Sequence, residues 1–184
     1  YIRKITMLRR LYNKYLRWRS KKEFISVGKD LVFYPWNSHF SYSNIQIGEH
    51  VQIGEYADFI ATRSKIHIGD HVIFAPKVSI RGGDHRIDII GRYIDTVTDE
   101  EKPPINDRDI IIEGDNWIGM NVTILKGVKI GRGAVVGAGS VITKSLPPYS
   151  VCAGVPCKVL KMRFNKEEIK RHETILYGKQ ITNI

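Results

Sequence analysis

The sequence predicts an all-β solenoid, in which short parallel strands wind into stacked coils with about three hexapeptides in each coil. Three observations predict this fold class. A branched aliphatic or aromatic residue recurs every six residues over much of the chain. A small or β-branched residue follows most of these positions by four, and glycine often follows them directly. Glycine supplies the turns that such short strands require.

The repeat is clearest in the C-terminal half and has the same register in the N-terminal half. A period of six would scatter residues around a helix, whereas stacked coils align them in one interior column. Each buried Ile or Val contributes ~1.5–3 kcal/mol, so these positions together offset much of the ordering entropy. The period does not determine the handedness of the coil. The two runs are Ile112, Ile118, Ile124, Ile130, Val136 and Ile142, and Ile47, Ile53, Phe59, Ile68, Phe74 and Ile80; the step of nine from Phe59 to Ile68 is one repeat plus a three-residue insertion.

Both ends of the chain are predicted to be helical. Apolar residues at three- and four-residue steps indicate an amphipathic helix over residues 2–19 with a basic outer face. We expect this helix either to pack on the first coil or a neighbouring subunit, or to bind an anionic membrane surface. Near the other end, Asn165 and Glu168 form a capping-box pattern before a helix at about 166–177, which would cover the last coil. The predicted organisation is therefore a basic helix (1–22), a solenoid (23–163) and a C-terminal helix and tail (164–184).

The net charge of +10 is concentrated at the N-terminus. Nine of the 29 basic residues and none of the 19 acidic residues lie in residues 1–22, so the rest of the chain has 20 basic and 19 acidic side chains. This near-neutral body argues against nucleic-acid binding. No apolar run approaches the ~20 residues of a membrane span, and charges interrupt the N-terminus where a secretory signal would be apolar. With only two cysteines, we expect a cytoplasmic protein, with peripheral contact at the inner face of the membrane as an extension of that expectation.

The repeat is interrupted at RGGDHRID, residues 81–88. A polar segment over 86–108 follows, and ten of the 19 acidic residues lie between Asp84 and Asp115. A loop of this length in a compact domain is usually functional. The segment is either a solvated excursion or a flap that helps to form an acceptor pocket. His85 stands at the interruption, after two glycines, either as a corner residue or as a reactive side chain.

The segment GAGSVITKSLPPYSVCAGVPCKVLK, residues 137–161, and the hexapeptides before it resemble the C-terminal half of the hexapeptide-repeat acyltransferases. The most similar branch contains the galactoside/maltose O-acetyltransferases and the xenobiotic acetyltransferases. The resemblance covers about residues 40–163. It implies a left-handed parallel β-helix, a homotrimer with active sites between subunits, and acetyl-CoA as co-substrate, with no metal.

The resemblance implies that His85 is the catalytic base, because the family's histidine lies near the end of a coil, before the donor-binding half. A neutral histidine can take the proton of an attacking hydroxyl, and such a base contributes ~10²–10⁴-fold to the rate. No covalent intermediate is required. In the xenobiotic branch a polar residue precedes the histidine, which suggests acceptor binding for Asp84. The alternative for Asp84 is a turn residue.

Six further positions match the donor site of the family, and Arg163 is expected to assist Lys161. Trp117 matches a tryptophan that lines the pantetheine groove, and Met120 and Ala138 match positions whose backbone amides bind the pantetheine arm. Core packing is the alternative for Trp117, and plain surface charge is the alternative for the basic residues. Lysine at 161 keeps a charge where arginine is familiar but lacks its bidentate fork. The positions expected near the adenine and the phosphates are Thr143, Lys144, Lys161 and Arg163.

We therefore expect an acetyl-CoA-dependent O-acetyltransferase that moves the acetyl group directly to a saccharide hydroxyl in a ternary complex. The saccharide could be a surface-polysaccharide precursor. Acetylation of an antibiotic or other xenobiotic, and sugar N-acetylation, are alternatives on the same fold. A γ-carbonic-anhydrase-like zinc protein needs three converging histidines, and the four-residue spacing of His67 and His71 does not fit a six-residue repeat. A scaffold without catalysis is the remaining alternative.

Overall fold

The computed structural model describes residues 2–178, and their side chains except those of residues 2–7 and 9. Short strands dominate the chain between two helices. The last residues of the predicted C-terminal tail, 179–184, lie outside the described part. In chain order the elements are α1 (Ile2–Ser20), β1 (Ser26–Val27), β2 (His39–Phe40), β3 (Ile45–Ile47), β4 (Gln52–Ile53), β5 (Asp58–Ile60), β6 (Ile66–Asp70), β7 (Ile73–Phe74), β8 (Ser79–Arg81), β9 (Ile110–Gly114), β10 (Trp117–Ile118), β11 (Thr123–Leu125), β12 (Lys129–Ile130), β13 (Val135–Val136), β14 (Val141–Ile142), β15 (Ser150–Ala153), β16 (Lys158–Met162) and α2 (Lys166–Tyr177).

The strands form three sheets. Sheet A has the order β1-β3-β6-β9-β12, sheet B the order β16-β15-β13-β10-β7-β4, and sheet C the order β14-β11-β8-β5-β2. All pairings are parallel except that of β15 with β16. From β3 to β14 the chain passes through sheets A, B and C in turn, so each coil supplies one strand to each sheet. The prediction of a parallel solenoid with about three hexapeptides per coil is confirmed.

The six-residue repeat forms the core. In sheet A, Ile47 is in register with Ile68, Ile68 with Ile112, and Ile112 with Ile130. All twelve aliphatic and aromatic repeat positions are buried, with at most 3% of their surface exposed. Glycine is required after one of them because a Cβ on Gly119 would lie 2.6 Å from the backbone nitrogen of Ala138. The coils therefore stack as closely as the backbone allows.

The first coil was not evident from the repeat. Residues of β1 pair with β3, Val32 pairs with Gln52, and β2 pairs with β5, so a complete coil precedes residue 41. A short 3-10 turn at Pro35–Asn37 lengthens this coil and breaks the six-residue spacing. An aromatic cluster closes its end, where the rings of Phe24 and Phe33 meet edge to face at 5.7 Å.

The C-terminal helix begins as predicted. The Asn165 side chain accepts a hydrogen bond from the Glu168 backbone N–H, and the Glu168 carboxylate accepts one from the Asn165 N–H. The helix α2 packs on the last coil through Glu173, a carboxylate only 1% exposed. Glu173 accepts hydrogen bonds from the Tyr149 hydroxyl and, at 3.2 Å, from the Arg132 guanidinium. Together these contacts close the C-terminal end of the solenoid.

The N-terminal helix packs against the long turn of the first coil. The Trp36 backbone N–H donates a 3.2 Å hydrogen bond to the side-chain oxygen of Asn13, which is buried. The rings of Tyr12 and Trp36 meet edge to face at 4.9 Å. Packing on the first coil, one of the two sequence-based expectations for this helix, is therefore part of the structure. Within residues 2–178, no helix combines the length and the apolar character needed to cross a bilayer.

Candidate functional site

The two glycines of RGGDHRID allow the polar segment to return against the end of β8. A Cβ on Gly82 would lie 2.2 Å from the Ser64 hydroxyl oxygen, and a Cβ on Gly83 would lie 2.1 Å from an Asp107 carboxylate oxygen. Gly83 forms an antiparallel bridge with Asp107, and the Arg108 N–H donates to the Gly82 carbonyl at 3.0 Å. The segment therefore leaves and re-enters the solenoid at one point. We call residues 86–108 the flap.

His85 lies at an opening between sheet C and the place where the flap leaves the solenoid. His85 is exposed and lines a cavity of about 280 Å³. Ile60 and Arg81 line the cavity from the coils, while Asp99 and Lys102 line it from the flap. The pKa of the Asp99 carboxyl is lowered, first by a hydrogen bond from Lys102. His85 is thus placed where a bound molecule could reach its ring.

Asp84 is held by residues on both sides of the opening. Its carboxylate accepts a 2.6 Å hydrogen bond from Asn106 and forms a 2.7 Å ion pair with Lys126. Burial raises its pKa, but the hydrogen bonds from Lys126 and Asn106 outweigh burial, so the pKa lies below its usual value. Both carboxylate oxygens are occupied. This geometry fits a clamp between the flap and the coils, and it leaves the acceptor-binding role of Asp84 a prediction.

Asn106 and Lys102 are two flap residues that the sequence did not single out. Asn106 is buried, and its amide donates both to Asp84 and, at 3.3 Å, to the His85 carbonyl. The Lys102 ammonium lies 2.7 Å from Asp99 and 3.6 Å from Asp107, and donates to the Asp84 carbonyl at 3.3 Å. The Asp99 hydrogen bond raises the pKa of Lys102 despite an opposing effect of burial. In the sequence, only their position after an acidic run and near Pro103–Pro104 indicated that these two residues contribute to the site.

The flap has its own internal hydrogen bonds. Arg86 donates to the Glu101 carbonyl at 2.7 Å, and Arg92 donates to the Glu101 carboxylate at 2.6 Å. The Arg92 hydrogen bond, followed by one from the Thr98 backbone, lowers the Glu101 pKa to about 2. Two short 3-10 turns, Ile94–Thr96 and Pro104–Asn106, complete the segment. These contacts favour the interpretation of a folded flap over that of a solvated excursion.

Trp117 and Lys161 lie on the same outer face of sheet B. Trp117 is in register with Val135, Val135 with Val151, and Val151 with Lys161. Three strand spacings of about 4.8 Å place the two residues roughly 14 Å apart. Trp117 is 56% exposed, which argues against the core-packing alternative. An open face with an indole at one side and an ammonium at the other is suited to an extended ligand with an anionic end.

Met120 and Ala138 follow the strands of this face on neighbouring coils. The Gly139 N–H donates to the Met120 carbonyl at 2.8 Å, which ties the two turns together. Within residues 2–178, the backbone N–H groups of Met120 and Ala138 donate no hydrogen bond. Both residues are exposed. These observations are compatible with the predicted amide contacts to the pantetheine arm, which stay a prediction.

The remaining predicted residues lie elsewhere on the chain. Thr143 and Lys144 are exposed and follow β14 of sheet C. Arg163 forms a 2.8 Å ion pair with Asp115, a carboxylate that would compete with a phosphate for the guanidinium. His85 follows sheet C, whereas Trp117 belongs to sheet B. One chain therefore does not gather all predicted residues on one face.

His67 and His71, the histidines considered for a zinc site, make separate contacts. His67 lies 3.6 Å from the Asp109 carboxylate. His71 and His50 occupy equivalent corners of successive coils and stack with ring centroids 4.7 Å apart. Across residues 2–178, no three His, Cys, Asp or Glu side chains form a group that could hold a metal ion.

Three parallel sheets built from hexapeptides, with one histidine presented at the interruption, define the class of hexapeptide-repeat transferases. The family model described as bacterial transferase hexapeptide (six repeats) matches residues 109–144. A galactoside O-acetyltransferase of Lactococcus lactis subsp. lactis (strain IL1403) is 32% identical over 171 residues, which cover 88% of this chain and 72% of that protein. The chain belongs to the hexapeptide-repeat acetyltransferase family, and the prediction of an acyltransferase is confirmed.

Solved structures agree with this assignment. A hexapeptide-repeat acetyltransferase from Vibrio cholerae O1 biovar eltor, complexed with acetyl-coenzyme A, is 30% identical with a TM-score of 0.69, over 79% of this chain and 75% of that chain. A polySia-specific acetyltransferase is 27% identical with a TM-score of 0.63, over 82% of this chain and 70% of that one. The solenoid is therefore the left-handed parallel β-helix that the resemblance implied.

Proposed function

We propose that this protein transfers the acetyl group of acetyl-CoA directly to a hydroxyl of a saccharide. The observation that carries the proposal is the exposed His85 at the opening of a cavity between the coils and the flap. Membership of an acetyltransferase family, a galactoside O-acetyltransferase relative and a neighbouring structure with acetyl-CoA support the donor and the reaction. A cytoplasmic location is part of the proposal, and the free thiols of Cys152 and Cys157 are compatible with it.

In the proposed mechanism His85 acts as a general base. Its ring takes the proton of the acceptor hydroxyl while the hydroxyl oxygen forms a bond to the thioester carbonyl carbon. The carbon–sulfur bond then breaks, and the imidazolium returns the proton to the departing CoA thiolate. The atoms balance without a covalent enzyme intermediate. Trp117, the free amides of Met120 and Ala138, and the charge of Lys161 would hold the donor.

The charges around the cavity favour a neutral, hydroxyl-rich acceptor. Arg81 is paired with Asp58, and Lys102 is paired with Asp99 and Asp107. These ion pairs leave the cavity with carboxylate oxygens and N–H groups that can bind hydroxyls without an unpaired charge for a strongly ionic acceptor. A saccharide, including a building block of a surface polysaccharide, fits this description. The name of the galactoside O-acetyltransferase relative supports the same substrate class.

The complete active site is proposed to form between subunits of a homotrimer. The support is that one chain places His85 after sheet C and Trp117 on sheet B. A cyclic arrangement of three copies can bring these different faces together. We expect Trp117→Ala, like His85→Ala, to lose turnover at low acetyl-CoA concentration. An equimolar mixture of the two proteins, reassembled at random, would then restore about a quarter of wild-type activity, since one site in four pairs two intact contributions. No recovery in verified mixed assemblies would contradict the shared site.

The decisive experiment is a thiol-release assay with acetyl-CoA and a panel of sugars, sugar nucleotides and antibiotics. We expect release with saccharides, and a loss of at least ~10² in turnover for His85→Ala with CoA affinity unchanged. His71→Asn is the matched control, because His71 is an exposed corner histidine with φ 57°, a conformation that asparagine tolerates. Near-normal turnover of His85→Ala would remove His85 from the mechanism. Thiol release with antibiotics alone would show that the acceptor is an antibiotic and not a saccharide.

A further inference from the structure

The N-terminal helix carries an apolar stripe that its packing leaves uncovered. The helix touches the first coil through Tyr12 and the buried Asn13. Leu8, Leu11 and Trp18 are 66%, 55% and 64% exposed, and Tyr15 is half exposed. These four residues are spaced by three or four, so they follow one side of the helix. We call Leu8, Leu11, Tyr15 and Trp18 the stripe.

The stripe is flanked by positive charge alone. The first acidic residue of the chain is Glu23, after the end of the helix. The Lys22 ammonium lies 5.3 Å above the centre of the Trp18 ring, so charge and aromatic surface adjoin. Tyrosine and tryptophan favour the level of lipid headgroups, where an apolar ring and a polar edge are both satisfied. The basic residues of this region with described side chains are Arg10, Lys14, Arg17, Arg19, Lys21 and Lys22.

We propose that the stripe and its basic flanks bind the surface of an anionic lipid bilayer, with α1 lying in the plane of the interface. A helix of 19 residues extends about 28 Å along that plane. Its apolar side would enter the boundary between headgroups and acyl chains, and its charges would face anionic headgroups. The hydrogen bond between Asn13 and Trp36 fixes the helix to the body. The membrane would therefore lie at the end of the solenoid that carries the first coil.

Charge complementarity favours lipid over a second copy of the chain as the occupant. Two stripes in contact would bring together two helices that both carry only positive charge. The body of the chain is nearly neutral, and its acid-rich flap has already paired several of its carboxylates. Asp88, Asp99 and Glu101 bind Arg86, Lys102 and Arg92, respectively. A bilayer rich in anionic headgroups supplies the negative field that the protein itself does not.

The test is co-sedimentation of the full chain with vesicles of phosphatidylcholine, with and without phosphatidylglycerol. We expect binding only to the anionic vesicles, and weaker binding at high salt because the charges are screened. Each basic side chain near the surface contributes about 1 kcal/mol, or roughly a factor of five. The double variant Lys14→Gln, Arg19→Gln should therefore bind about 25-fold more weakly. Lys170→Gln, Arg171→Gln on the exposed side of α2 is the matched control and should bind like the wild type.

A second pair of variants tests the apolar side. Leu11→Ser, Trp18→Ser should lose binding to anionic vesicles, whereas Ile175→Ser, at a site 70% exposed on α2, should not. Failure of the wild type to bind anionic vesicles, or equal binding to both kinds of vesicle, would overturn the proposal. So would a stripe variant that binds vesicles normally but changes the oligomeric mass in sedimentation, because a second copy would then be the occupant. None of these measurements depends on catalytic activity.

Discussion

Replacement of Asn106 by alanine tests whether the flap positions the histidine. The Asn106 amide donates 2.6 Å and 3.3 Å hydrogen bonds to the Asp84 carboxylate and the His85 carbonyl. A hydrogen bond to a charged group contributes about 1.5–3 kcal/mol, which corresponds to roughly a 10- to 150-fold change in the equilibrium between held and released flap. Backbone contacts remain, since the Asp84 N–H donates to the Asn106 carbonyl and Gly83 still pairs with Asp107. We therefore expect a local loss of order with the fold retained.

The assay combines acceptor kinetics with a double-mutant cycle. Asn106→Ala should lower the acceptor kcat/KM by about 10- to 150-fold, while CoA affinity and the far-ultraviolet circular dichroism spectrum stay unchanged. Asn106→Ala and Asp84→Ala should be coupled by at least about 1 kcal/mol, because they remove the same hydrogen bond. Additive effects within about 0.3 kcal/mol would refute the reasoning. Equal losses of CoA affinity and acceptor turnover would also do so, since the flap is proposed to contact only the acceptor.

Three other perturbations have defined outcomes. Gly83→Ala places a Cβ 2.1 Å from Asp107, so we expect at least a tenfold loss of acceptor kcat/KM, and unchanged kinetics would contradict the role of this glycine. Glu173→Ala leaves the buried Tyr149 hydroxyl without its acceptor, which costs about 1–3 kcal/mol and should lower Tm by about 2–12 °C in calorimetry; an unchanged Tm would argue against the closure by α2. The hydrogen bonds from Arg92 and Thr98 lower the Glu101 pKa from 4.5 to about 2. The ionised Glu101 carboxylate therefore stabilises the flap fully above pH 4.5, and this stabilisation is lost as the pH falls towards 2. Pepsin cleavage of the flap should rise over that range in the wild type, and Glu101→Gln should already be cleaved readily at pH 4.5, whereas identical profiles would exclude this ion pair as a flap contact.

Local patterns were sufficient for the regular parts of the fold. The six-residue repeat predicted the buried columns because a solenoid converts sequence period directly into spatial register. The C-terminal capping box was readable for a similar reason, since Asn165 and Glu168 satisfy each other within one turn. The first coil lies within the predicted solenoid, but the six-residue repeat does not extend into it because its turn at Pro35–Asn37 breaks the spacing, although its strands pair normally.

The environment of the candidate site depends on contacts between distant residues. Asp84 meets Asn106 and Lys126, which lie 22 and 42 positions further along the chain. Arg163, expected near the donor phosphates, forms a hydrogen bond with Asp115, 48 positions away. No spacing rule relates such pairs, because an irregular flap and an antiparallel last strand bring them together. Only the folded structure shows which residues Asp84 and Arg163 contact.

The sequence by itself determined the solenoid, the family resemblance and the location of His85 at the interruption. Each of these follows from residues that are close in sequence and repeat with a regular period. Only the tertiary structure decided that Asp84 is clamped, that Trp117 and Lys161 share one face, and that the stripe on α1 stays exposed. These properties depend on which surfaces meet after folding, and burial and pairing at a given residue are set by neighbours that the local sequence does not contain.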